Sequence, residues 1–243
     1  MRSLIFLLLL SFNATAALYD RGNGLIYDDV LDITWLQDAN YAQTSGYTAA
    51  NANGSVNSTD ANIQPDGRMG WQAAKTWADT LVYFGYEDWR LPSANLMNDA
   101  NPCWAYDGSC DEGYNNTTSE TAHMFFNNLG GIGRFDVNGI YDSAHGVTNY
   151  SFTDGGDGIS VSFFNLQNHV YWSREENTLD TYYAWRFGTD DGTQLFNLKK
   201  RSLYSWAVHD GDIGNPVPLP AGIYLFLSGL VGLSLMKGRK SNF

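Results

Sequence analysis

Charge is what this chain of 243 residues has least of: Asp, Glu, Lys and Arg together make up 16% of it, well under the about 25% usual for a soluble domain. With 44% hydrophobic residues, disorder driven by charge is excluded. Basic residues are scarcer still, 14 against 26 acids, and Arg2, Lys237, Arg239 and Lys240 stand at the two ends. Every acid lies between Asp20 and Asp212, so the body holds 10 bases against 26 acids, a net charge of −16. Such a surface repels a phosphate backbone and has no basic stripe from which counterions could be released. Nucleic acid is therefore excluded as a partner, and sulfated glycans are disfavoured. Cysteine is limited to Cys103 and Cys110, and three of the six prolines crowd into residues 216–220. Glycine (25 residues) and aromatic residues (15%) are abundant instead. They point to a turn-rich α+β or β fold held together by rings and argue against a helical bundle or coiled coil.

The two ends read as targeting signals. Arg2, the apolar run 4–10 and the small residues Ala14, Thr15 and Ala16 form the n-region, h-region and cleavage site of a signal peptide. Residues 1–16 are expected to be removed after Ala16, leaving a mature chain in an oxidising compartment. Residues 217–236 contain no charge and are followed by Lys237, Arg239 and Lys240. Twenty apolar residues match a bilayer span, and the basic stop keeps the tail cytoplasmic and the body outside. The prolines make residues 213–220 a stiff neck. Val217, Pro218, Leu219, Pro220 and Ala221, then Ser228, Gly229 and Leu230, then the basic end over residues 217–240, resemble the VPLPA-CTERM sorting signal of the PEP-CTERM class. That resemblance implies an exosortase as partner. It also implies passage through the inner membrane of a Gram-negative bacterium to the cell surface or an exopolysaccharide matrix.

Between these ends, β-rich runs at residues 25–27 and 33–36 open a sheet, separated by a turn containing Asp28, Asp29 and Asp32. Trp71, Ala74, Trp77, Ala78, Leu81 and Phe84 recur at helical spacing up to Gly85 and predict a first helix. Thr117 and Glu120 fit a capping box for a second, whose buried stripe runs from Ala122 through Phe125, Phe126 and Leu129 to Gly130. Runs at 170–173, 182–187, 194–198 and 204–208 read as late strands pairing back to the first ones, with Asp190, Asp191 and Gly192 as a hairpin turn. Residues 40–66 and 136–160 read as polar loops.

The ordered series Gly24-Leu25-Ile26-Tyr27-Asp28, Ile33-Thr34-Trp35-Leu36, Trp71-Gln72-Ala73-Ala74, Trp89-Arg90-Leu91-Pro92, Ser119-Glu120, Tyr171-Trp172-Ser173, Trp185 and Trp206 resembles the Lcl C-terminal domain family. That family is named for a collagen-like bacterial adhesin and is otherwise largely of unknown function. The likeness covers residues 17–212 as one domain. Its Arg-Leu-Pro element is also similar to formylglycine-generating-enzyme-like domains. Both resemblances imply a C-type-lectin-like α+β fold, and the first implies a surface-binding, adhesin-like role.

The candidate chemistry is sparse. Cys103 and Cys110, exported and alone, are expected to form a disulfide; the alternative is a copper-binding thiol pair of an oxidase. Trp104 and Tyr106 on the intervening loop suit the apolar faces of sugars, or else lie as a lid over the first helix. Arg90 is expected to bind a carboxylate while its stem covers the core. Asp154 and Asp157 in a Gly-rich turn suit an oxygen-ligated Ca²⁺, short of the ligand count of an EF-hand. The four histidines show no zinc spacing, and no nucleophile elbow or phosphate loop is present. These readings make the chain a non-catalytic module that binds extracellular polysaccharide or a surface protein, with a purely structural matrix protein as the alternative.

Overall fold

The computed structural model describes residues 17–54, 56–97 and 103–214; the signal peptide, the sorting signal and the basic stop all lie outside them. It is a mixed α+β architecture, mostly strands with a few short helices. The chain begins with an antiparallel meander of β1 (Leu18–Asp20), β2 (Leu25–Asp28) and β3 (Ile33–Leu36). Strand β1 extends the sheet beyond the two runs expected from sequence. Its turn to β2 is closed by Gly22, Asn23 and Gly24, all at positive φ. The turn after β2 is organised by buried Asp28, whose Oδ1 accepts the N–H groups of Val30 and Leu31, an Asx-type turn.

Residues 40–66 are less loop-like than their composition suggests, because α1 (Tyr41–Thr44) and α2 (Tyr47–Asn51) form within them. Helix α3 spans Trp71–Asp79 and buries Trp71, Ala74, Trp77 and Ala78 as expected. It stops well short of Gly85. The Thr80 hydroxyl donates back to the Thr76 carbonyl, and the β-branched and aromatic residues that follow form a tight hairpin turn at 83–86 instead.

After β4 (Trp104–Ala105) and β5 (Glu112–Gly113), helix α4 covers only Glu120–His123 before widening into a π-helical turn, Met124–Asn128. Its cap is Ser119, whose Oγ accepts Ala122 N–H at 3.1 Å, and not Thr117. Glu120 does not close a capping box, because its carboxylate is drawn to Arg90 and to Ser93 N–H. Strands β6 (Ser151–Thr153) and β7 (Ser160–Ser162) pair as a small ribbon inside and just beyond the expected polar loop. Strands β8 (Val170–Glu176), β9 (Tyr183–Gly188) and β10 (Gln194–Leu198) then form an antiparallel set, with Asp190, Asp191 and Gly192 between β9 and β10.

The chain ends its described course in β11 (Val208–Asp210), which pairs with β3 and brings the two ends together. The sequence pattern places this strand at 204–208, four residues early. Tyr204 makes only an isolated bridge, and Trp206 turns inward to donate its indole N–H to the Leu36 carbonyl. The result is a four-stranded sheet in the order β1-β2-β3-β11 and a five-stranded sheet in the order β4-β5-β10-β9-β8.

A core of aromatic rings joins these layers. Trp35, Trp89, Trp172, Trp185 and Trp206 are all fully buried, as is Leu91. Each such ring removes enough apolar surface from water to contribute about 1.5–3 kcal/mol. Several indoles also tie irregular segments to the sheets: Trp71 donates to Ser173, Trp172 to Met69 and Trp89 to Tyr86, all at main-chain carbonyls. Buried N–H groups need such partners.

Candidate functional site

The site grows from the disulfide. Cys103 and Cys110 are bridged, Cα to Cα 5.0 Å apart; Cys103 immediately precedes β4, and Asp111 alone separates Cys110 from β5. The short loop between them lets β4 and β5 run parallel, Trp104 opposite Glu112 and Ala105 opposite Gly113. Parallel neighbours ordinarily need a crossover of a dozen residues or more. Here the staple and a glycine replace it: a Cβ on Gly113 (φ +120°) would stand 1.8 Å from the Ala105 carbonyl oxygen. Only glycine tolerates that approach.

Trp104 is the exception among the eight tryptophans: it is 50% exposed while the other seven are buried. Its ring meets Tyr106 edge-on at 4.5 Å, and Tyr106 stacks nearly parallel to Tyr114 at 5.9 Å. Behind them, Tyr114 and Tyr106 both touch Phe135, which meets Tyr141 at 6.0 Å. Phe135 and Tyr141 belong to a small hairpin whose turn is tied by Asp136, accepting the N–H groups of Asn138 and Ile140. At its tip, Gly139 lies against the Tyr106 ring, a Cβ there standing 3.0 Å away. Asn115 locks the two loops together by donating to the carbonyls of both Tyr106 and Phe135.

Among the described residues, Trp104 and Tyr106 find their ring neighbours in Tyr114 and Phe135 and not in α3. They head a ladder of rings continued by Tyr114, Phe135 and Tyr141, three residues that sequence reasoning missed. The signal for them was available in Asn138-Gly139, a strong hairpin dipeptide between two aromatic residues. Exposed Val137, Ile140 and Tyr141 extend the apolar surface, and acidic groups rim it. Burial and the neighbouring Asp111 carboxylate push the Glu112 carboxyl up. Ser109 holds that of Asp107 down by hydrogen bonding. Rings edged by carboxylates can take the C–H face of a sugar while accepting its hydroxyls.

Asp154 and Asp157 lie elsewhere, lining a cleft of about 310 Å³ with Asp20 and Gly22. Asp154 Oδ1 accepts the N–H groups of Gly156 and Asp157, and Oδ2 that of Asp20. Although burial opposes it, these amides hold the Asp154 carboxyl below its ordinary range. Asp157 in turn caps Ile159 N–H. Asp154 is bound to the backbone through both oxygens and Asp157 through one, and among the described residues no three His, Cys, Asp or Glu side chains converge as a metal site. A larger cleft of about 690 Å³ is lined by Asn127, Asn128, Asn149 and Ser151, with its one ring, Phe152, buried.

Arg90 of the Trp-Arg-Leu-Pro segment takes the structural role its sequence context implies. Both its Nη atoms reach the Glu120 carboxylate at 2.7 Å, and Nε reaches Asp210 at 2.9 Å. It clamps the start of α4 to β11. No family model matches the chain, nor does any curated protein or solved structure.

Proposed function

We propose that this chain is an exported, non-catalytic binding module that recognises neutral polysaccharide through the Trp104 ladder. In this reading the domain is C-type-lectin-like and related to the Lcl C-terminal domains. An exosortase sorts it to the cell surface or the surrounding matrix. The observation that carries the ligand assignment is the exposure of Trp104 alone among eight tryptophans, on a loop stapled by the disulfide. Exposing a large ring forfeits burial energy, and cross-linking the loop beneath it preorganises the ring for contact, which lowers the entropy cost of binding.

The net charge of −16 on the body selects neutral over sulfated chains, because an anionic glycan would meet like charge. The 690 Å³ cleft offers amides and hydroxyls but no exposed ring, so it is the weaker candidate for a sugar face. A glycan array probed with the mature chain, with and without Ca²⁺, tests the reading. Neutral glycans bound equally in both conditions and released by Trp104→Ala are the expected outcome. A silent array would favour a structural matrix role, and binding restricted to sulfated glycans would overturn the ligand class.

A further inference from the structure

The turn at residues 83–86 contains the one described residue other than glycine, asparagine and aspartate that holds a positive φ, Phe84. Tyr83 and Tyr86 exchange both main-chain hydrogen bonds at 3.0 Å, so Phe84 and Gly85 form a two-residue hairpin turn. Both have positive φ, +49° and +85°. Asn-Gly or Asp-Gly ordinarily fills such a turn, since a bulky residue pays a steric cost there. Phe84 is nevertheless 64% exposed, and Val82 two residues before it is 59% exposed. A strained backbone that holds an apolar ring out into water marks a site where that ring meets something else.

The exit of the chain says what that is. The last described segment is fastened beside this turn: Arg21 forms a two-point ion pair with Asp212, Ile213 N–H donates to Thr34, and Gly214 N–H donates to the Tyr86 hydroxyl at 3.1 Å. Tyr83 holds the other side of the turn to the same corner, donating its hydroxyl to the Asn23 carbonyl at 2.8 Å. From Gly214 only residues 215–220 separate the domain from the body of the apolar stretch, and six residues reach at most about 20 Å even fully extended. Resting on the reading that residues 217–236 span a bilayer, this tether holds the Tyr86 corner close to the lipid surface. We propose that Val82 and Phe84 are a membrane-facing prong that inserts into the interfacial region of the bilayer beside the chain's own anchor. Glu87 and Asp88 follow directly and are exposed, so the occupant is uncharged or zwitterionic lipid, and the energy of the contact comes from apolar burial.

The test uses the full chain reconstituted in phosphatidylcholine vesicles whose acyl chains are brominated close to the headgroup. Residues 217–236 contain no tryptophan, so the anchor adds no background emission. A Phe84→Trp variant is expected to gain blue-shifted emission that the brominated lipid quenches beyond the wild-type level. Adding Val82→Asp is expected to abolish that extra quenching. If the chain floats with the vesicles and the new tryptophan is not quenched, the prong is overturned while the anchor stands. Emission that shifts with protein concentration and not with lipid would overturn it in favour of a second copy of the chain. If the chain does not float with vesicles at all, the spanning reading fails, and this inference fails with it.

Discussion

Arg90 joins the start of α4 to β11 through two carboxylates, Glu120 and Asp210. Burial opposes its charge, yet the carboxylates of Glu120 and Asp210 raise its affinity for the proton, and the same pairing holds the Asp210 carboxyl below its usual range. Glu120 is buried, and its carboxylate accepts from Arg90 and from Ser93 N–H. Removing the guanidinium strands a buried carboxylate, so Arg90→Met should cost about 3 kcal/mol or more, read as a fall in the midpoint of denaturant unfolding. The depressed Asp210 and Asp154 carboxyls set the sign of the acid response. Their stabilisation is complete above the unfolded value of about 4 and is lost as pH falls through their lower folded values. Asp190 behaves in the opposite sense. Burial and then the neighbouring Asp191 raise its carboxyl, and its Oδ1 has no hydrogen-bond partner. Asp190→Asn is therefore expected to raise stability at neutral pH, an advantage that fades as acid protonates the wild-type side chain. An unchanged difference across that range would contradict the assignment.

The elements differ in how far they were legible. Strands β2, β3, β9 and β10 follow from short β-rich and aromatic runs bounded by turn residues, and the start of α3 from helical spacing, because α3 buries one stripe of small and aromatic residues. Trp172 and Trp185 lie in such runs and are fully buried, as is Trp89 in an irregular segment. What could not be read was set by partners distant in sequence. The capping box at Glu120 fails because Arg90, thirty residues earlier, takes its carboxylate. The ladder beneath Trp104 comes from a hairpin at Phe135 and Tyr141 with no regular strand around it. Helix α3 was read too long because Leu81 and Phe84 continue its spacing, although Phe84 ends in solvent. Two outcomes belong at this scale. Reducing the Cys103–Cys110 bridge should cost about 2 kcal/mol through the freed unfolded loop and should abolish the parallel β4–β5 pairing, visible as accelerated amide exchange at Glu112 and Tyr114. Phe84→Gly should raise stability by about 1 kcal/mol by relieving the positive φ, as measured by chemical denaturation, because the ring it removes is mostly solvated.

At the scale of the whole molecule, the strand pairing of β11 with β3 places the beginning and end of the domain at one corner, and the chain leaves from there. The rings of the core leave a single tryptophan outside, and that asymmetry carries the central proposal, that Trp104 is the contact surface for a ligand. The accessibility of tryptophan to acrylamide reports on this one residue, since the other seven are shielded by burial. The decisive measurement is acrylamide quenching of residues 17–214 titrated with neutral polysaccharide. The account predicts that the accessible fraction of the emission disappears as polysaccharide is added, and that Trp104→Ala lacks this fraction from the outset and binds no polysaccharide. An accessible fraction that persists unchanged at saturating polysaccharide, or polysaccharide binding that survives Trp104→Ala, would contradict it.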